Sequence, residues 1–152
     1  MSPTNLPTVK DASRTVRATT SQPPLATSPL SVKQRDFLLL NIYVLAQNGF
    51  TERASTLAQA LHVLGDNSAE VTLARAVLGF FGQDWRAALA CLDELDRIDP
   101  VERFGAYRMT DAQRLRRYLK ARCFYELDDL PRARDVVESY LRHGTEAADQ
   151  AG

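Results

Sequence analysis

The chain has 152 residues, of which 45% are hydrophobic, and its 19 basic residues balance 19 acidic ones. This apolar content is enough for the core of one domain, and the balanced charge leaves no net field to attract nucleic acid or an anionic membrane. The longest apolar run, residues 37–46, is half of the ~20 residues needed to cross a bilayer, and we therefore expect no direct membrane insertion.

Residues 1–31 differ in composition from the rest of the chain. They contain five of the seven prolines, many Ser and Thr residues and a single acidic residue, Asp11. Large apolar residues are few and unpatterned, so the segment cannot bury enough surface to offset the entropy lost on ordering. We predict a disordered Pro/Ser/Thr-rich tail over 1–31. It lacks the apolar core of a signal peptide, and its basic and hydroxyl residues give only a weak likeness to an organelle transit peptide.

From residue 32 onward the signals are helical. Ser31 and Thr110 are each followed three residues later by Gln, which is the pattern of a capping box. Thr51, Asn67 or Ser68, Asp84 and Asp129 are placed to cap four further helices. No useful length of chain alternates apolar and polar residues with a period of two. The fold is therefore predicted to be all-α, with six helices at about residues 32–47, 52–64, 68–81, 85–98, 111–127 and 130–143.

The turns inside the helix pairs repeat along the chain. The second helix of each pair carries an alanine three positions after its first aromatic, aliphatic or Thr residue: Ala54, Ala88 and Ala133. The 34 residues from Ala54 to Ala88 equal the period of a tetratricopeptide repeat. That motif also requires a small residue at its eighth position, where the helices of a hairpin cross closely, and the residues found there are Ile42, Ala76 and Ala121.

We predict three tetratricopeptide-like helix hairpins, stacked as a short right-handed solenoid over residues 32–143 and followed by a frayed tail over 144–152. An insertion of about eleven residues, near residues 101–111, separates the second repeat from the third. An irregular bundle of the same six helices is the alternative.

In such a stack the first helices of the hairpins line a concave surface. At the positions expected to face it the chain has mainly aliphatic and aromatic side chains with one arginine: Leu39, Tyr43, Leu73, Val77, Phe80, Phe81, Leu115, Tyr118, Arg122 and Tyr125. A large apolar concavity is typical of a site that binds an amphipathic helix or an extended apolar segment of a partner. The alternative is that part of this set is core, and Trp85 is predicted to pack between helices.

No pattern in the chain indicates catalysis or metal binding. The zinc-type ligands His62, Cys91, Cys123 and His143 lack the short spacings of a metal site. Phosphate-binding and nucleophile motifs are missing as well. We therefore expect a protein that is not an enzyme and has neither cofactor nor metal. Two buried thiols without a secretory signal indicate a reducing compartment.

Charged residues cluster on either side of the insertion. The acidic residues Asp93, Glu94, Asp96 and Asp99 are interpreted as the solvated face of an outer helix. Arg114, Arg116 and Arg117 form a basic group, but nearby acids and the neutral total charge argue against nucleic acid as a partner.

Residues 32–61, VKQRDFLLLNIYVLAQNGFTERASTLAQAL, resemble the start of the YscY family of type III secretion chaperones. The likeness consists of the run from Arg35 to Asn41, the turn glycine Gly49 and the sequence Glu52-Arg53-Ala54. The pair Asp99-Pro100 at the end of the second repeat is also similar. The Pro/Ser/Thr-rich tail and the insertion before the third repeat depart from the family's pattern.

The resemblance implies a small chaperone of the bacterial cytoplasm with three tetratricopeptide-type repeats. It implies that the chaperone binds an early-secreted export component, the X protein, and that the pair engages the export-gate protein of the inner membrane. Chaperones of translocator or needle subunits are alternatives, as is a generic repeat scaffold that joins two soluble partners. A chaperone with so apolar a groove is expected to self-associate or aggregate until its client is present.

Overall fold

Three helix hairpins follow one another along the chain in the computed structural model, which describes residues 30–100 and 109–144. The six helices are α1 (Val32–Gln47), α2 (Thr51–Val63), α3 (Ala69–Phe81), α4 (Trp85–Ile98), α5 (Asp111–Glu126) and α6 (Leu130–Gly144). Within the described ranges there is no strand, and the all-α prediction is confirmed. The two predicted tails, apart from Leu30, Ser31 and Gly144, and most of the predicted insertion lie outside the described residues.

Side-chain caps begin α1 and α5 as predicted. The Ser31 hydroxyl accepts a hydrogen bond from the Gln34 backbone N–H, and the Gln34 side chain accepts one from the Ser31 N–H at 2.9 Å. Thr110 repeats this capping box in α5. The prediction that Thr51 caps α2 is wrong: Phe50 holds that position without a side-chain cap, because the turn after α1 extends through it.

One backbone turn closes all three hairpins. Gly49, Gln83 and Asp128 follow α1, α3 and α5 and share a left-handed backbone, with φ of 81°, 58° and 61°. In the first turn the Phe50 N–H donates to the Leu45 carbonyl at 2.9 Å, and the equivalent bond recurs in the other two turns. This is the Schellman ending of a helix. The turns therefore repeat at the same 34-residue and 45-residue intervals as the alanines of the second helices.

Small residues lie where the two helices of a hairpin cross. Ala54 and Ala88 are fully buried, and Ala133 is nearly so. In the second hairpin Gly79 lies against the backbone of Ala88, because a Cβ atom built on Gly79 would be 3.2 Å from the Ala88 nitrogen. The predicted close crossing of α3 with α4 is therefore present, and the equivalent alanines of α2 and α6 are buried as well.

The hairpins pack in chain order. Each helix contacts the next, α1 also contacts α3, α3 also contacts α5, and no other pair of the six described helices is in contact. Helices α1, α3 and α5 therefore lie side by side, while α2 packs against both α1 and α3, and α4 packs against both α3 and α5. This pairing agrees with stacked hairpins, since the first and third hairpins do not meet. The tetratricopeptide identity and the right-handed solenoid remain predictions.

A buried ion-pair network joins α4 to α5. The Arg116 guanidinium is almost fully buried and donates to the Asp96 carboxylate at 2.8 Å and to the carboxylate and carbonyl oxygens of Asp99 at 3.0 and 2.7 Å. Lys120 lies 2.8 Å from Asp93 and 2.9 Å from Asp96. The interpretation of these acids as a solvated face is wrong for Asp96, because α5 packs against α4 and places Arg116 and Lys120 on it. Asp99 also pairs with Arg116, but its side chain is 43% exposed.

Candidate partner-binding surface

Helix α5 carries the longest open row of the predicted groove residues. Leu115, Tyr118, Arg122 and Tyr125 recur at intervals of three, four and three residues, and this spacing places them on one face of the helix. All four are exposed, and the two tyrosines each expose 58% of their surface, whereas the neighbouring Leu119 is buried in the core. The row is therefore an uncovered aromatic face.

The single arginine of this row is held by its own helix. The Arg122 guanidinium lies 2.6 Å from the Glu126 carboxylate and stacks over the Tyr125 ring, 5.5 Å from its centroid. Its charge is thus balanced by Glu126, and its plane supports the tyrosine. The α5 row consequently offers apolar and aromatic contacts and carries no net positive charge for a terminal carboxylate.

On α1 and α3 the predicted groove residues divide into open and packed side chains. Tyr43 and Phe81 each expose more than half of their surface. The other four are partly buried: Leu39, Leu73, Val77 and Phe80. Among these, Phe80 packs edge-to-face on Trp85 of α4, with ring centroids 5.3 Å apart. Trp85 therefore packs between helices, as predicted, and Leu39, Val77 and Phe80 pack against the core.

An apolar cleft of about 440 Å³ opens between α5 and α6, beside the α5 row. Its lining is mostly aliphatic and aromatic with two arginines: Arg114, Leu115, Arg117, Tyr118, Ala121, Val137, Tyr140 and Leu141. Because Leu115 and Tyr118 belong both to the row and to the cleft, the two form one continuous apolar surface.

The α6 wall of this cleft was missed by the reasoning from sequence. Val137 and Leu141, four residues apart, form a second apolar row on α6 beside the buried row of Ala133 and Val136. Two apolar rows on one helix predict two packing partners. The two apolar rows of α6 could therefore have indicated this wall from the sequence. No described helix follows α6 to pack on its second row.

The two cysteines are free thiols in the helices that carry this part of the fold. Both thiols are buried. Burial raises the pKa of the Cys91 thiol and raises that of Cys123 to about 11. In the described part of the chain no three His, Cys, Asp or Glu residues are grouped to hold a metal ion. No described helix combines the length and apolarity that a membrane span requires.

The fold and this surface define an all-α protein of helix hairpins with an open aromatic face. Comparisons with family models, with curated proteins and with solved structures find no match for the chain. The resemblance of residues 32–61 to the YscY family therefore remains a prediction from sequence.

Proposed function

We propose that the protein is a type III secretion chaperone of the YscY type, which holds a helix of a small secreted client on the face formed by α1, α3 and α5. The observation that carries the proposal is the exposure of large aromatic side chains on helices that lie side by side: Tyr43, Phe81, Tyr118 and Tyr125. Exposed apolar surface of this extent is characteristic of proteins whose partner covers it.

The exposed aromatic area is large enough to hold a client without any covalent or metal chemistry. Each aromatic side chain buries ~150–250 Å² when covered, and somewhat more than half of that is open at these four positions. Covering them removes roughly 450 Å² from water, which contributes on the order of 10 kcal/mol before the entropic cost of association. A client bound in this way is released when a second partner competes for the same apolar segment.

The cleft between α5 and α6 supplies an anchor point at one end of this face. Its volume of about 440 Å³ lies within the range of ~300–1,000 Å³ that ligand pockets occupy. An amphipathic client helix would place a large apolar side chain in the cleft and lay its next turns along Tyr118 and Tyr125. Arg114 lines the cleft and pairs with the exposed Asp111 at 3.7 Å, and an acidic client residue beside that anchor would compete with Asp111 for it.

The client that the sequence resemblance supports is the X-type export component, and the proposed complex engages the export gate from the bacterial cytoplasm. Translocator and needle subunits are the alternative clients within the same class. Such clients would also bind through apolar helices, and a comparison of the affinities of the different clients distinguishes them.

The proposal is tested by co-expressing the chain with its X-type protein and measuring their affinity by isothermal titration calorimetry. Tyr118→Asp and Tyr125→Asp are expected to weaken binding at least about 30-fold, because each buries a charge in the centre of the interface. Val63→Asp is the matched control, since Val63 is even more exposed but lies at the end of α2.

Circular dichroism must show the three variants as helical as the original chain. If both tyrosine variants fold and bind the X-type protein with unchanged affinity, the aromatic face is not the client site. Tight binding of a translocator or needle subunit, with none of the X-type protein, would assign the alternative client.

A further inference from the structure

The first hairpin leaves open a face that the second and third hairpins bury. Phe37 and Val44 of α1 correspond to Val71 and Leu78 of α3, each pair 34 residues apart. Val71 and Leu78 are 0% and 3% exposed, because α3 packs on α2 of the preceding hairpin. Phe37 and Val44 are 64% and 48% exposed, since no described helix precedes α1.

Leu40 is likewise exposed in the first hairpin, while the equivalent residues of the later hairpins are covered. It is 59% exposed, whereas its equivalent in α3, Ala74, packs against the core and its equivalent in α5, Leu119, is buried. We refer to Phe37, Leu40 and Val44 as the α1 end face. Residues of the same repeat position are thus covered in two hairpins and open in one.

The α1 end face has the spacing of a helix–helix seam. Its three residues are separated by three and four positions, as apolar residues are where two helices pair. From Phe37 through Phe50 the fourteen residues include no charged side chain. An exposed helix with an uncharged, partly aromatic stripe has the composition of an interface core.

We infer that the α1 end face pairs with the same face of a second copy of this chain, with the two α1 helices antiparallel about a two-fold axis near Leu40. In such an isologous contact each residue of the α1 end face contacts a residue of the α1 end face of the other copy. Phe37 then packs on Val44 of the other copy, and the uncharged stripe avoids opposing like charges.

The chain's own N-terminal segment fits the α1 end face poorly. Leu30 packs against the core shared by α1, α2 and α3, and Arg35 donates to Asp66 in the α2–α3 loop at 2.7 Å. Leu30 and Arg35 therefore both lie beside the α2–α3 loop. Residues 1–29 also contain few large apolar side chains with which to cover an aromatic ring.

The size of the face sets the expected strength of the pairing. Phe37, Leu40 and Val44 expose about 300 Å² of apolar surface in each copy, judged from typical side-chain areas. With polar flanks, a pair of such faces belongs to the class of interfaces below ~1,200 Å², which are weak and reversible. The dimer is therefore expected to dissociate at micromolar concentrations.

Sedimentation velocity of the full chain between about 1 and 300 µM tests this inference. The expected result is a reversible change from 17.0 kDa to twice that mass. Phe37→Glu and Val44→Glu are expected to remain monomeric at every concentration. Val63→Glu is the matched control, because Val63 is an exposed apolar residue at the end of α2, outside both the α1 end face and the proposed client face, and it is expected to dimerise like the original chain.

A cross-link gives an independent readout of the geometry. Leu40→Cys is expected to form an intermolecular disulfide on mild oxidation, since the antiparallel pairing brings Leu40 close to its own copy. Cys91 and Cys123 are buried and do not contribute. Phe81→Cys under the same conditions is expected to stay monomeric.

Three results would overturn the inference. One is a chain that stays monomeric at 300 µM, and a second is a dimer that survives both Phe37→Glu and Val44→Glu. The third is a monomer that dimerises only after residues 1–29 are deleted, which would assign the face to the tail. None of these results affects client binding at Tyr118 and Tyr125, and loss of client binding in those variants does not affect the dimer.

Discussion

A guanidinium nitrogen of Arg116 lies 2.8 Å from a carboxylate oxygen of Asp96, and this buried pair ties the third hairpin to the second. The repeat position of Arg116 is the one that Val71 fills in α3 and Phe37 in α1. The second hairpin therefore packs on the first through the apolar Val71. The third hairpin packs on the second through the charged Arg116, which Asp96 of α4 and the C-cap residue Asp99 neutralise.

Removing this cation is expected to destabilise the protein strongly. Arg116→Ala leaves Asp99 without this cation and Asp96 with Lys120. Because the two carboxylates are 30% and 43% exposed, the expected cost is about 2–3 kcal/mol, less than the ~3–5 kcal/mol of a fully buried pair broken from one side. Arg122→Ala, which breaks the exposed pair with Glu126 and the stacking on Tyr125, is expected to cost about 1 kcal/mol or less. Urea unfolding followed by circular dichroism measures both. A loss below about 1 kcal/mol for Arg116→Ala would show that the network does not stabilise the junction.

The same network predicts how stability depends on pH at the acid end. Burial alone would raise the pKa of Asp96, but hydrogen bonds from Lys120 and Arg116 outweigh it and hold that pKa below its usual value. A carboxyl whose pKa is lower in the folded state stabilises the fold above its unfolded pKa of ~3.9, and this stability is lost as the pH falls through the folded value. Asp96→Asn is expected to reduce the loss of stability below about pH 4.

At alkaline pH the contribution of Lys120 to the free energy of unfolding falls as the pH rises, opposite to that of Asp96. Burial alone would lower its pKa, but its hydrogen bonds to Asp93 and Asp96 outweigh burial and raise it. Its contribution is complete below the unfolded pKa of ~10.4 and is lost as the pH rises through the folded value. Lys120→Met is expected to flatten the free energy of unfolding above about pH 10. An alkaline decline as steep as that of the original chain would contradict the assignment.

The repeated hairpin turn predicts two stabilising substitutions. Gln83 and Asp128 have the left-handed backbone that Gly49 has at the equivalent position, and a side chain there costs roughly 1–2 kcal/mol. Gln83→Gly is expected to raise the free energy of unfolding by about 0.5–1 kcal/mol and Asp128→Gly by somewhat less, because Asp tolerates this conformation better. Gly49→Ala is expected to lower it by about 1 kcal/mol. Thermal unfolding checks the order of stability of the three variants. If Gln83→Gly lowers the stability, the left-handed backbone at Gln83 is not strained.

The crossing of α3 and α4 predicts a destabilising substitution. A Cβ atom on Gly79 would meet the backbone of Ala88 at 3.2 Å, and backbone atoms cannot move aside as a side-chain end can. Gly79→Val is therefore expected to cost about 2 kcal/mol or more. Ala90→Val on the exposed side of α4 is the control, and helix propensity limits its cost to about 0.5 kcal/mol. Equal losses for the two variants would contradict a tight crossing.

The helices were predictable from sequence because their signals are local. Ser31 and Thr110 cap helices through residues three positions away, and Gly49 marks a turn whose hydrogen bonds stay within residues 44–50. Such features need no knowledge of distant parts of the chain. Thr51 was assigned wrongly, because a helix end and the next N-cap compete for the same few residues.

The surface was less predictable, because exposure depends on which helix lies next to which. Tyr118 and Phe80 belong to the same predicted set, yet Tyr118 is open while Phe80 packs on Trp85. The burial of Arg116 depends on the packing of α5 against α4 across residues 101–108, and the sequence alone did not indicate that contact. The exposure of Phe37 likewise follows from the lack of a preceding described hairpin.

The central claim, that a client helix lies across the aromatic face, is tested most directly by site-specific photo-cross-linking. The photoreactive residue benzoyl-phenylalanine would replace Tyr118, Tyr125 or the control Val63 in the chain co-expressed with its X-type protein. Cross-links to the client from positions 118 and 125, with none from position 63, are the predicted result. Cross-links from position 63 alone would place the client on another surface and contradict the account.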